Sequence, residues 1–183
     1  MAQPSIPLEL AESFQPVIGA AVTLRPLRPD DVDIETAFVQ GLSAETRASR
    51  LLGGAIKVTR EYIERLTQVD YARDMALAAS VMLEGHETLI GVARYALDAD
   101  GRNCEFALVV ADAWQGRGIG RRMLQKLIAV AAARGVARIY GDTLATNRGM
   151  LELARTLGFA LARHPDEPHL TRVTLDLAPS GAP

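Results

Sequence analysis

Val109-Val110-Ala111-Asp112-Ala113-Trp114-Gln115-Gly116-Arg117-Gly118-Ile119-Gly120 decides how this chain folds. Two β-branched residues close a strand, three glycines follow at alternate positions, and Ile119, Met123, Leu124, Leu127, Ile128 and Ala131 then recur at helical spacing. Arg121, Arg122, Gln125 and Lys126 take the opposite helix face. A strand, a glycine loop and a helix in that order let consecutive backbone N–H groups turn inward, and the helix adds the positive end of its dipole. The spacing predicts a pyrophosphate cradle; the plainer alternative is a flexible strand-to-helix turn.

Downstream, Gly135 ends the helix and residues 136–141 read as a strand. Asn147 opens a further helix carrying Met150, Leu151, Ala154 and Leu157, and Gly158 stands where a left-handed cap belongs, with Phe159 folding back over the last turn. Residues 159–163 and 170–177 then form a hairpin around His164-Pro165-Asp166-Glu167-Pro168-His169. Upstream, the apolar runs 75–83, 88–97 and 104–111 are separated by turn residues and predict an antiparallel meander. Residues 22–27 form a first strand, and Asp30 or Asp31 caps a helix toward Gln40. Further helices run through Arg47 to Leu52 and from Thr59 to about Thr67. The fold class is mixed α/β, with one domain over 22–178. Residues 1–21, with Pro4, Pro7 and Pro16, are a loosely held extension, and 179–183 a flexible tail.

The 183 residues, 49% hydrophobic and 23% charged, suit one soluble domain with a real core. Single Cys104 forms no internal disulfide, no secretory leader pattern opens the chain, and no apolar run reaches the ~20 residues a bilayer requires. The expectation is a cytoplasmic protein that engages neither membrane nor nucleic acid. Yet Arg117, Arg121, Arg122, Lys126, Arg134 and Arg138 all lie between Asp112 and Asp142 with no acidic residue among them, in a chain of net charge -2. Such a local cationic stretch suggests a compact anionic ligand; a solvated basic helix face is the alternative.

A dinucleotide site is the first rival, because Asp142 follows the loop at about the distance of a ribose-binding acid. Its third glycine would come one residue later than Gly120, however, where Arg121 stands. No Gly-Lys-Ser/Thr follows, so a P-loop fails as well.

Gln115-Gly116-Arg117-Gly118-Ile119-Gly120 resembles the Arg/Gln-x-x-Gly-x-Gly/Ala signature of the GCN5-related N-acetyltransferases, the GNAT superfamily. The resemblance extends over residues 22–177, with Leu24-Arg25-Pro26-Leu27 at the first strand and Asn147 eleven residues before Gly158-Phe159. Leu42-Ser43-Ala44-Glu45-Thr46-Arg47, and residues 66–76, are similar to the catalytic domains of bacterial Pat-type protein lysine acetyltransferases. The resemblance implies a mostly antiparallel sheet flanked by helices, with acetyl-CoA in a V-shaped gap beside the strand ending at Val110. Gln115, Gly116, Arg117, Gly118, Ile119, Gly120 and Arg121 would hold the pyrophosphate. Main-chain groups of Leu108, Val109 and Val110 would pair with pantetheine. Asn147 would approach the cofactor, a plain helix cap being its alternative. The implied acceptor is a primary amine, on a protein lysine or a small molecule, and a homodimer is left open.

Lysine-like amines carry a proton at neutral pH, their pKa being ~10.4, so transfer needs a base. Strand alternation puts Glu105 on one face with Ala107 and Val109, and Cys104, Phe106 and Leu108 on the other. Small apolar neighbours would raise its pKa and leave room for a substrate, as a general base requires; an edge carboxylate paired to an Arg is the alternative. In Pat-type enzymes a glutamate at the matching position has the basic role. Cys104 reads as a core residue and Trp114 as packing at the loop base. No metal site is expected, since Pro165 and Pro168 make the His164–His169 segment a hairpin loop. Where many relatives have a Tyr that protonates the departing thiolate, this chain has Ala154, and Tyr140 is the available hydroxyl. That substitution supports the second hypothesis, a non-catalytic CoA-sensing or interaction module.

Overall fold

The computed structural model describes residues 5–54 and 57–177. Its strands are β1 (Glu12–Phe14), β2 (Val22–Pro26), β3 (Met75–Leu83), β4 (His86–Leu97), β5 (Asn103–Val110), β6 (Arg138–Leu144), β7 (Ala160–Arg163) and β8 (Leu170–Asp176). Its helices are α1 (Val32–Gly41), α2 (Ala44–Arg50), α3 (Arg60–Thr67), α4 (Ile119–Ala133) and α5 (Arg148–Thr156). Among the described residues the strands make one eight-stranded sheet in the order β1-β2-β3-β4-β5-β6-β8-β7. Only β5 and β6 run parallel; the other neighbouring pairs are antiparallel. That is the mixed, mostly antiparallel architecture expected. It excludes the doubly wound parallel sheet on which a dinucleotide site depends.

Local chemistry explains where the helices begin and stop. Ser43 and Thr59 each accept a hydrogen bond from the backbone N–H three residues on, which satisfies a donor that the first turn of α2 or α3 leaves free. Asp31 precedes α1, but its carboxylate does not cap it. It turns to the buried Arg25 instead, accepting from Nη1 at 2.7 Å and Nη2 at 2.8 Å, because a buried guanidinium requires a counter-charge. At the end of α5 the Phe159 N–H reaches the Ala154 carbonyl at 3.0 Å and Gly158 N–H reaches Arg155 at 3.0 Å, the paired closure that a left-handed glycine permits.

β3 is buried on both faces, which is why its sequence is an unbroken apolar run. On one side α4 and α5 cover Met75, Leu77, Tyr95, Cys104, Phe106 and Ile139. On the other, α1 and α3 cover Leu27, Ala76, Ala78, Val92 and Val109. Two expectations change. The parallel partner of β5 begins at Arg138 and runs to Leu144, later than residues 136–141, because the Val136 N–H still closes α4, reaching the Ala131 carbonyl at 3.1 Å. The N-terminal extension is not loose throughout. Glu12–Phe14 pair with Val22–Leu24 as the sheet edge, and Glu12 reaches Arg122 Nε at 2.8 Å and Lys126 Nζ at 2.9 Å. The tail 179–183 lies outside the described residues.

Candidate active site

β5 and β6 touch only at Asn103–Glu105 against Arg138–Tyr140 and then part. The fork opens where Gly141 passes Phe106: a β-carbon on Gly141 would stand 2.9 Å from the Phe106 ring and 2.9 Å from its carbonyl oxygen. Beyond the fork, Leu108, Val109 and Val110 pair with Ala93, Val92 and Gly91 of β4 and, among the described residues, have no strand on their other side. A main chain with one free edge is ready to accept an extended ligand as an added strand. Leu153 of α5 stands beside Leu108, Val110 and Gly120, so α5 closes the far side.

The glycine loop sits at the end of that free edge. Gly116 (φ 70°) and Gly118 (φ 83°) adopt left-handed backbone, which brings the chain abruptly into α4, and Gly118 caps that helix with no side chain involved. Ile119 is buried under the first turn, and Gly120 lies inside the helix. The loop is braced from outside. Gln115 donates from Nε2 to the Val110 carbonyl at 2.9 Å and to Thr46 Oγ1 at 3.4 Å. Asp112 accepts from Ser43 N–H at 3.0 Å, Ser43 Oγ at 2.7 Å and Thr46 Oγ1 at 2.7 Å, and these bonds hold its carboxyl down at about 2. Segment 42–47 therefore buttresses the loop. Its part there was not readable from the sequence, since Asp112 lies far away along the chain.

The cationic stretch is largely spent on structure. Arg122 and Lys126 pair with Glu12, and Arg138 pairs with Asp176. Arg134 donates to the Asp74 carbonyl and the Tyr95 hydroxyl. Arg117 lies 4.9 Å over the Trp114 ring and donates to the Ile18 carbonyl. Arg121 is exposed and has no partner among the described residues. Trp114 thus packs the loop base, as expected. Asn147 Oδ1 accepts from Met150 N–H at 3.1 Å, which is the plain helix-cap reading.

Glu105 stands at the fork, exposed as are Ala96 and Ala107 on the same face, and Cys104 and Phe106 point into the opposite core. Partial burial raises its carboxyl above the ordinary range; Asp142 and Asp98 add to the rise and Arg172 opposes it. Among the described residues it has no hydrogen-bonded or ion-paired partner, so the edge-pair alternative fails. Asp142 is instead taken by Arg172, Nε to Oδ1 at 2.9 Å and Nη2 to Oδ2 at 2.8 Å, which removes it as a ribose ligand. Tyr140 donates to Asp98 at 2.9 Å and burial pushes its hydroxyl up to about 12, so it makes a poor acid. Burial likewise pushes the Cys104 thiol to about 12. His164 Nδ1 accepts two backbone N–H groups of its own loop, and Nε2 lies 2.9 Å from Arg172.

A cavity of about 370 Å³ adjoins Glu105 under the end of α3; Arg65, Gln68, Asp74 and Arg94 line it with apolar neighbours. Sequence reasoning missed Arg94. Its signal was a lone arginine inside an apolar strand, two positions before the residue that faces Glu105.

Residues 48–159 match the model of the acetyltransferase (GNAT) family. The chain is 36% identical over 149 residues to acetyltransferase PA5475 of Pseudomonas aeruginosa, covering 81% of this chain and 80% of that protein. It is 35% identical over 144 residues to acetyltransferase Pat of Mycolicibacterium smegmatis, covering 76% of this chain but 41% of Pat. Its structure superposes on the GNAT domain of S. lividans PAT with a TM-score of 0.83 at 25% identity, over 94% of this chain and 100% of that domain. A forked sheet, a left-handed glycine loop at the end of its free edge and these likenesses agree: the chain belongs to the GNAT acetyltransferase family.

Proposed function

We propose that the protein transfers the acetyl group of acetyl-CoA to a primary amine in a direct ternary complex, with Glu105 as the general base. One observation carries this reading: a partly buried carboxylate with no hydrogen-bonded or ion-paired partner among the described residues stands at the fork whose free strand edge leads to the glycine loop. Loop residues Gln115 to Arg121 would receive the pyrophosphate on backbone N–H groups, with Arg121 the cation free to join them. The edge of Leu108 to Val110 would receive pantetheine. Asn147 Oδ1 already accepts from Met150, and its side-chain N–H groups are left to offer a cofactor.

Glu105 takes one proton from the ammonium and passes it to solvent. The nitrogen then attacks the thioester carbonyl carbon; the C–N bond forms as the C–S bond breaks, and the nitrogen's second proton ends on the CoA sulfur. Catalysis comes mainly from holding nitrogen and carbonyl in line. Two acceptor classes suit this base. The resemblance of residues 42–47 and 66–76 to Pat-type protein lysine acetyltransferases favours a protein lysine, and the open cavity beside Glu105 favours a small amine.

The test compares acetyl-CoA, CoA and NAD at matched concentration by thermal unfolding. A ligand at ~100 times its dissociation constant adds ~2.7 kcal/mol and moves the midpoint of a domain this size by ~5 to 10 °C. Acetyl-CoA and CoA should raise the midpoint and NAD should not. Stabilisation by acetyl-CoA with no acceptor turned over would favour the CoA-sensing module that Ala154 suggested.

A further inference from the structure

The cavity beside Glu105 carries charges of both signs. On the β4–β5 ladder Arg94 lies opposite Ala107 and Ala96 opposite Glu105, so Arg94 and Glu105 are diagonal neighbours on one face. Diagonal pairs of this kind stand ~7–8 Å apart at the backbone. Asp74 and Glu105 supply carboxylates to the same cavity, and Arg65 and Arg94 supply guanidiniums.

Arg94 is poorly satisfied by the protein itself. Its side chain is only 22% exposed, yet its two hydrogen bonds, Nη2 to Glu35 Oε1 and Nη1 to the Leu66 carbonyl, are both 3.3 Å long. A guanidinium has five N–H donors, so most of its capacity is unused. Its counter-ion is shared as well. Fully buried Glu35 also faces Arg50 Nη2 at 3.9 Å, and Glu35 Oε2 has no hydrogen-bond partner among the described residues. Two guanidiniums share that one carboxylate, and Arg94 also lines the cavity. Leaving donors of a buried charged group unmet costs more than an ordinary hydrogen bond returns, so the site favours a ligand that brings an anion. The uncharged stem of a protein lysine brings none.

Resting on the acetyl-transfer reading, we infer that the acceptor is a small amine bearing its own carboxylate, which Arg94 binds while the amine faces Glu105. Arg65, exposed at the mouth, adds to the attraction for the carboxylate, and Asp74 to that for the incoming ammonium. The bonds made and broken are those of the transfer described above.

The test follows CoA release with a thiol reagent, using wild-type protein, acetyl-CoA and paired acceptors. The panel holds α-, β- and ω-amino acids, the carboxamide of each, and a lysine peptide with blocked termini. At least one acid should be acetylated with kcat/KM ~10-fold or more above its amide, the loss expected when a charged hydrogen bond is removed. Arg94→Gln should erase the difference between that pair and Arg94→Lys should restore part of it, both with the acetyl-CoA midpoint shift intact. Equal turnover of acids and amides overturns the inference. So does turnover of the blocked peptide alone, or of no acid, while acetyl-CoA still stabilises the protein. Loss of that stabilisation in the wild type would instead remove the acetyl-transfer reading and this inference with it.

Discussion

The two flanks of β5 are built by different means. Toward the proposed cofactor side, seven consecutive residues from Gln115 to Arg121 make a local object whose proposed chemistry lies in backbone N–H groups. Toward the proposed acceptor side, Arg65, Asp74, Arg94 and Glu105 come from four separate segments that only the folded sheet and α3 bring together. A backbone site tolerates changes of side chain and fails when φ or spacing changes. A side-chain site behaves in the opposite way, and the two flanks can be told apart by what breaks them.

The largest effect belongs to the acceptor side. Glu105→Gln keeps shape and removes the proposed base; kcat should fall by ~10²- to 10⁴-fold, and the midpoint shift with acetyl-CoA should not change. The pH profile supplies an independent reading. The working form is the carboxylate, and its pKa lies above the ordinary glutamate value of ~4.3 because burial disfavours the charge. In the wild type kcat/KM should therefore climb with pH through that raised value, and the limb should vanish in the Gln variant. An unchanged limb would take the base role from Glu105.

Next comes the fork itself. Gly141→Ala forces a methyl to within 2.9 Å of a backbone carbonyl, an atom that cannot swing aside. Overpacking of this kind costs ~1–3 kcal/mol, or roughly 2 to 12 °C in midpoint for a domain this size. Cofactor and acceptor affinities should both suffer, since both flanks diverge from this point. A midpoint equal to that of the wild type would show that the strands can part without glycine there.

How legible each flank was follows from this division. The loop could be read because its signal is contiguous: β-branched residues, glycines at alternate positions, then helical periodicity. Glu105 could be read because strand alternation is also local. Arg94 could not, because nothing near it in sequence names Glu35, Arg50 or the cavity. The cationic stretch misled in part, since Glu12, which neutralises Arg122 and Lys126, lies in a segment expected to be loose. Gly141 looked like any glycine in a strand until Phe106 was found against it.

The buttress between the flanks gives a smaller effect. Asp112→Ala frees α2 from the loop, and KM for acetyl-CoA should rise a few-fold with kcat nearly unchanged, which tests whether segment 42–47 serves the cofactor side. The stability effect has a definite sign. Asp112 is held at about 2 in the folded protein against an ordinary ~3.9, so its bonds stabilise the fold fully above the ordinary value and lose that contribution as pH falls toward 2. The midpoint difference between wild type and Asp112→Ala should be present at pH 7 and shrink at the acid end.

The smallest effect is the sharpest test of the cofactor side. Gly118 and Gly120 look equivalent in the sequence, but they are not equivalent in the fold. Gly118 sits at φ 83°, where an L side chain costs roughly 1–2 kcal/mol, so Gly118→Ala should lower the midpoint and weaken CoA binding. Gly120 is an ordinary helical residue, and a β-carbon there would rest 3.5, 3.6 and 3.7 Å from Leu108, Val110 and Leu153, which is normal contact. Alanine is also the better helix former by ~0.8–1 kcal/mol. Gly120→Ala should therefore leave CoA affinity within about two-fold and the midpoint level or slightly raised, which paired thermal and CoA titrations would check. If Gly120→Ala instead abolished CoA binding, the ligand would have to pass closer to α4 than a backbone cradle at Gly116 to Gly118 requires, and the division between the two flanks would have to be redrawn around the helix.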